Sequence, residues 1–137
     1  MQMIVDRSKT YEFRKGRYPT SVLRIWFYQT APISSITYIC EVDPGLARDP
    51  SNPLPLNGHR NKEFNEGIQP DWSGPMHAYR VKSCYKIRKP IPLGELKEKY
   101  GFGGAPRGMV YVTEKMRDDI SWDKQELMWT EATEKTT

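Results

Sequence analysis

Alternation of apolar and polar positions, the mark of a strand with one buried face, recurs along much of this chain. In KTYEFRK it places Thr10, Glu12 and Arg14 on one face and Tyr11 and Phe13 on the other. The preceding MQMIVDRSK reads as the end of a helix that turns Met3 and Ile4 inward. Val22 to Tyr28 is rich in β-branched and aromatic residues, and ISSITYICEV follows after Ala31-Pro32, which predicts two strands joined by a short connection. Asp43 to Gly58 holds four prolines and two glycines and is expected to be a long loop. A short helix is expected at Asn61–Glu66, and IQPDWSGP returns to loop chemistry. Met76 to Pro92 alternates well enough for one long strand with Tyr79, Val81 and Tyr85 in the core. A helix then starts near Pro92, apolar at Leu93, Leu96 and Tyr100, and stops at Gly101. FGGAPRG reads as a turn and MVYVTE, residues 109–114, as a final strand. In the charged remainder, Ile120, Trp122, Leu127, Met128 and Trp129 suit a docked short helix before a frayed end. Five or more short strands with few helices predict a mainly β (α+β) domain, a small barrel or sandwich with peripheral short helices. There are too few helical crossovers for a parallel α/β sheet.

Composition narrows this reading little. The chain has 137 residues, 37% hydrophobic and 28% charged, which suits one folded domain. A net charge of +4 favours anionic partners without requiring them. Cys40 and Cys84 each fall in a strand-like segment, so buried thiols are expected, with a disulfide open to them if their strands are neighbours. No signal-like segment precedes the domain and no apolar run reaches the length of a membrane span, so the expected setting is intracellular, without membrane contact. His59 and His77 are isolated and no CxxC or HxxxH unit occurs, so neither a metal nor a cofactor is expected. The glycines of YGFGGAPRG follow a helix and lack the Lys-Ser/Thr pair of a phosphate loop, which makes a turn the better reading.

The candidate chemistry lies in SKTYEFRK. Glu12 can accept from an exocyclic amine or ring N–H, the Arg14 guanidinium offers a donor fork, and the Lys9 ammonium meets a phosphate. The alternative is a solvated ladder of ion pairs. Trp72, in a loop where nothing demands burial, is a candidate lid over a ligand, or else an anchor. Lys15, Arg17 and Arg107 are candidate phosphate contacts should they share a face with the motif.

SKTYEFRK resembles the signature of the ASCH family, roughly GxKTxExR, with Ser8 in place of the usual glycine and Lys9, Thr10, Glu12 and Arg14 at matching positions. VLRIWFYQTAPISSITYICEV and AYRVKSCYKIRKPIPLGELKEKYGFGGAPRGMVYV are similar to the family's later strands and closing segment. The resemblance implies a PUA-like β-barrel over residues 1–117, without a counterpart of the family's first strand, and a charged C-terminal segment, 118–137, partly docked or disordered. It further implies a cleft beside the motif, in a superfamily that includes PUA, YTH, EVE and SRA-like readers of RNA or modified bases. The expected function is therefore a nucleic-acid or modified-nucleobase binding module, RNA favoured, whose partner is an RNA or a modified nucleoside or nucleotide. Lys9, Glu12, Arg14 and Trp72 would hold that ligand. Two alternatives stay open. One is a small metal-independent hydrolase acting on RNA or an acylated nucleoside, with Lys9, Thr10 or Tyr11 taking part. Related acetylcytidine amidohydrolases place a threonine nucleophile where this chain has Glu12, which counts against the same reaction here. The other is a protein-interaction module built on the loop Asp43 to Gly58. Oligomeric state is not legible.

Overall fold

The computed structural model describes residues 1–15, 17–67, 76–107 and 111–131. The elements run α1 (Gln2–Val5), β1 (Tyr11–Arg14), β2 (Arg24–Gln29), β3 (Ser35–Glu41), α2 (Asn61–Glu66), β4 (His77–Arg80), β5 (Ser83–Pro92), α3 (Leu93–Tyr100), α4 (Glu114–Asp119), a 3-10 turn (Trp122–Lys124) and β6 (Glu126–Thr130). This is a mixed α+β fold, mostly strands with short helices. The strands form a two-stranded sheet, β1-β4, and a four-stranded sheet in the order β2-β3-β5-β6. Among the described residues neither sheet closes into the barrel that the sequence led us to expect. The chain divides into two compact units, one made of 1–24 and 41–82, the other of 25–40 and 83–137.

In the first unit β1 and β4 pair antiparallel, Glu12 opposite Tyr79 and Arg14 opposite His77. Directly opposed residues share a face. Tyr11, Phe13 and Ala78 therefore form one side of the ribbon, and they pack with Leu54 and Phe64 into a small core. Phe13 stacks on Phe64 with ring centroids 5.3 Å apart. The proline-rich loop is tied down as well. Leu46 exchanges two backbone hydrogen bonds with Ala78, at 2.8 and 2.9 Å, and the Asn65 side chain bonds both the N–H and the carbonyl of Leu54. Buried loop backbone thus finds its partners in β4 and α2.

The second unit packs α3 and α4 on its sheet around Ile36, Ile39, Ile87, Ile91, Leu96 and Met116. α3 leaves β5 without a break and ends at Gly101, whose φ of 73° is the left-handed cap that glycine adopts at no steric cost. Both agree with the sequence reading, as does the span of α2, and β2 and β3 lie where strands were expected, with ends shifted by one or two residues.

Three expectations are corrected. The long strand of residues 76–92 is two strands in different sheets. Its inward face changes at Ser83 and Cys84, which are both buried, so a single alternation cannot run through. The final strand expected at 109–114 is not seen in its described part. Residues 111–113 are irregular, and Thr113 caps α4 by accepting from the Met116 N–H at 3.2 Å. The C-terminal segment that suits a helix instead supplies β6, because pairing with β5 overrides the helix preference of Leu127 and Met128.

Candidate functional site

The SKTYEFRK motif is set up by the turn before it. The Asp6 carboxylate accepts from the Ser8 N–H at 2.9 Å and from its hydroxyl at 2.6 Å, which holds the Asp6 carboxyl below the usual range. Arg7 takes a left-handed φ of 68°, and the Lys9 N–H closes back on the Met3 carbonyl at 2.9 Å. The chain then enters β1 with Lys9 at its head. Serine at position 8 does more than stand in for glycine, since its hydroxyl builds this turn.

With Tyr11 and Phe13 committed to the core, Glu12 and Arg14 occupy the opposite face of the ribbon, along with Tyr79 and His77 from β4. Glu12 is the only buried charged residue among those described, at 9% exposure, and this separates it from a rung of a solvated ladder. Its Oε1 lies 3.5 Å from the Lys9 ammonium and 3.7 Å from the Arg14 Nε. Both ion pairs land on the same oxygen. One carboxylate between two cations leaves the cluster with a single net positive charge.

Tyr18 completes this face. Its ring stacks on Tyr79 with centroids 5.0 Å apart, and its N–H donates to the Tyr79 hydroxyl at 2.8 Å. Burial raises the pKa of the Tyr18 hydroxyl, and the nearby Arg14 guanidinium partly opposes that shift. Gly45 lets Tyr79 approach the loop: a Cβ there would lie 2.6 Å from the ring. Thr10 is half-buried, and its hydroxyl oxygen accepts from the Asn61 side-chain amide at 3.3 Å, while the same amide donates to the Pro55 carbonyl at 2.9 Å. Gly58 fits against this contact, since a Cβ on it would collide with the Thr10 hydroxyl.

The structure therefore brings Lys9, Glu12 and Arg14 together. Tyr11 is buried against Phe13 on the far side of the ribbon. Lys15 and Arg17 are exposed beyond the end of β1. Arg107 belongs to the second unit, on a shallow depression of about 380 Å³ lined by Tyr100, the 101–106 turn and Tyr111. Trp72 lies outside the described residues. Sequence reasoning missed Tyr18, His77 and Asn61. Tyr18 falls outside the motif's alternation, and His77 joins the face only through the β1-β4 register. His77 Nδ1 and Asn61 Oδ1 are buried and make no hydrogen bond among the described residues. The described residues contain no group of three or more His, Cys, Asp or Glu side chains placed to hold a metal ion.

No protein-family model and no curated protein matches the chain. Its fold, however, matches the crystal structure of ASCH from Zymomonas mobilis with a TM-score of 0.58, over 85% of this chain and 83% of that one, at 23% sequence identity. A tyrosine-to-phenylalanine mutant of that protein matches with a TM-score of 0.58 at 21% identity, covering 86% of each chain. A serine-to-alanine mutant gives the same TM-score at 23% identity, over 86% of this chain and 84% of that one. The described chain thus has the fold of an ASCH protein, the family that the SKTYEFRK motif resembles.

Proposed function

We propose that this protein is an intracellular nucleic-acid binding module that holds RNA or a modified nucleobase at the face formed by Lys9, Glu12, Arg14, Tyr18 and Tyr79. The observation that carries this reading is the buried Glu12 carboxylate held between two cations beside a stacked tyrosine pair. A ligand's ring N–H or exocyclic amine bonds the carboxylate through Oε2, the oxygen away from the two ion pairs. Lys9 and Arg14 take its phosphate, and Lys15 and Arg17 extend the phosphate contacts. Stacking on the part-exposed ring of Tyr18, which Tyr79 backs from within, adds affinity that does not depend on base identity. A PUA-like cleft beside the motif is part of the proposal.

Binding is preferred to hydrolysis because of the Thr10 hydroxyl. Its oxygen accepts from an amide, and an amide donor draws electron density away from that oxygen, whereas a nucleophile needs a base to take its proton. The test is fluorescence anisotropy with a labelled single-stranded RNA, competed by a panel of modified nucleosides that includes acetylcytidine, alongside product analysis of the same mixtures. Saturable binding without product, lost on replacing Glu12 and Arg14 by alanine in a protein that still folds, is the expected result. Unchanged affinity in that variant removes the reading. Turnover abolished by Lys9→Ala replaces it with the hydrolase.

A further inference from the structure

Cys40 in β3 and Cys84 in β5 are both wholly buried thiols. The β3-β5 ladder is antiparallel and pairs Ile39 with Tyr85, and Val42 then bridges Val81 in a register shifted by one residue, so Cys40 and Cys84 face each other across the step between these two pairings. Opposed residues of an antiparallel pair point to the same face, with Cα atoms about 4.5–5.5 Å apart, inside the roughly 4.4–6.8 Å that a disulfide spans. The two side chains are in contact, and a hydrogen bond from the Cys40 thiol lowers the pKa of the Cys84 thiol. A lowered pKa enlarges the fraction present as the attacking thiolate.

We propose that Cys40 and Cys84 are a reversible oxidation site that closes to an intramolecular disulfide by exchange with a small-molecule disulfide such as oxidised glutathione. The Cys84 thiolate attacks one sulfur of the oxidant, forming a mixed disulfide and expelling one glutathione thiolate. Cys40 then attacks the Cys84 sulfur and expels the second. The protein loses two electrons and two protons, and two glutathione thiols form. Access to the pair runs through β6. This strand ends the sheet, pairs Trp129 with Cys84, and carries the exposed Leu127 and Met128. Edge strands of this kind open more readily than the core.

Oxidation has a structural consequence. Beyond the two cysteines the strands stay paired: the Lys82 N–H donates to the Glu41 carbonyl at 2.8 Å, and Val42 bridges Val81. A disulfide here closes residues 41–83 into a covalent loop that contains Asp43, Asn61 and Tyr79. Constraining so long a loop in the unfolded chain raises the thermal midpoint by about 10 °C.

The test incubates the folded full-length protein with oxidised glutathione and reads intact mass, thiol content in denaturant, peptide linkage and melting temperature. The expected product is a monomer that has lost two hydrogens, shows no reactive thiol, contains a Cys40–Cys84 peptide, melts higher, and returns to the starting state with dithiothreitol. Cys40→Ala, unable to close the bond, should accumulate the glutathione adduct on Cys84. Two reactive thiols remaining in the native protein, stable glutathione adducts on both cysteines, or a disulfide only between copies would each overturn the proposal. The wild-type mass and peptide linkage decide it even if the alanine variant fails to fold.

Discussion

Replacing Glu12 with glutamine preserves shape and removes one charge, so it isolates what the carboxylate does between Lys9 and Arg14. At the observed separations of 3.5 and 3.7 Å each contact has a gross attraction of about 4–5 kcal/mol at an effective dielectric near 20. Most of that is offset by desolvation of the carboxylate and by repulsion between the two cations. The Lys9 and Arg14 side chains keep 23% and 30% of their exposure, against 11% for Glu12, which places the cluster between a surface pair and a buried one. Exposed pairs contribute up to about 1 kcal/mol and breaking a buried pair costs about 3–5 kcal/mol, so Glu12→Gln should cost about 1–2 kcal/mol. Urea denaturation reads this as a lower midpoint at unchanged slope. Binding should respond in two opposite ways. Affinity for a nucleoside falls roughly tenfold as the charged base-edge acceptor gives way to a neutral amide with a single acceptor oxygen, an effect of about 1.4 kcal/mol. Affinity for single-stranded RNA at low salt rises, and its dependence on log salt steepens by about 0.7, because the site gains one net positive charge. A variant as stable as the parent, with nucleoside affinity unchanged, would show that Glu12 is a solvated ion-pair partner and refute the reasoning.

The Tyr18–Tyr79 stack is open to test through Gly45→Ala, whose added methyl would lie 2.6–2.9 Å from atoms of the Tyr79 side chain and must displace the ring. A loss of about 1–3 kcal/mol in stability and an altered near-ultraviolet tyrosine signal are expected, and an unperturbed spectrum would contradict the packing. Alkaline pH should act on the second unit through Tyr100, whose hydroxyl donates to Asp119 at 2.9 Å. Burial first, and that bond second, raise the Tyr100 pKa above the ordinary 10.0. The neutral phenol is favoured by folding, so this stabilisation is fully present below pH 10.0 and is lost as pH rises through the elevated value. Melting curves of Tyr100→Phe should start about 1 kcal/mol less stable at neutral pH and fall less steeply than the parent above that point.

Where local chemistry decides, the sequence could be read directly. Gly101 stops α3, the prolines of the 43–58 loop exclude regular structure, and the alternation through Tyr11 and Phe13 identifies the buried side of β1. What it hid was partner choice. The residues from Met76 to Pro92 have strand character throughout, but only the identity of the neighbours, β1 for β4 and β3 with β6 for β5, divides them between two sheets. Leu127, Met128 and Trp129 fit a helix face as well as an edge strand, and pairing decided between them. The β-branched and aromatic run ending at Thr113 pointed to a strand, whereas Thr113 caps α4. For the candidate site, the motif gave Lys9, Glu12 and Arg14, whereas Tyr79 and His77 become their neighbours only through a register that no local pattern specifies.

The placement of Glu12 narrows the kind of ligand this face would suit. A site selected only for phosphate would do better without a carboxylate, which cancels one of its two cations and repels the anion. A carboxylate needed only to neutralise surface cations would not have to be buried, because solvent screens such pairs at little cost. Burying it incurs a desolvation penalty that is recovered when a bound donor fills its remaining lone pairs. On the proposed reading the matching ligand carries N–H donors and negative charge within the span of Lys9 to Arg14, together with a flat ring to cover Tyr18, whose inner side rests on the buried Tyr79. A nucleobase joined to its phosphate has all three, a bare anion has one, and a neutral aromatic has another, so the proposed function predicts graded binding of nucleotide over nucleoside over phosphate, and equal binding of all three would contradict it.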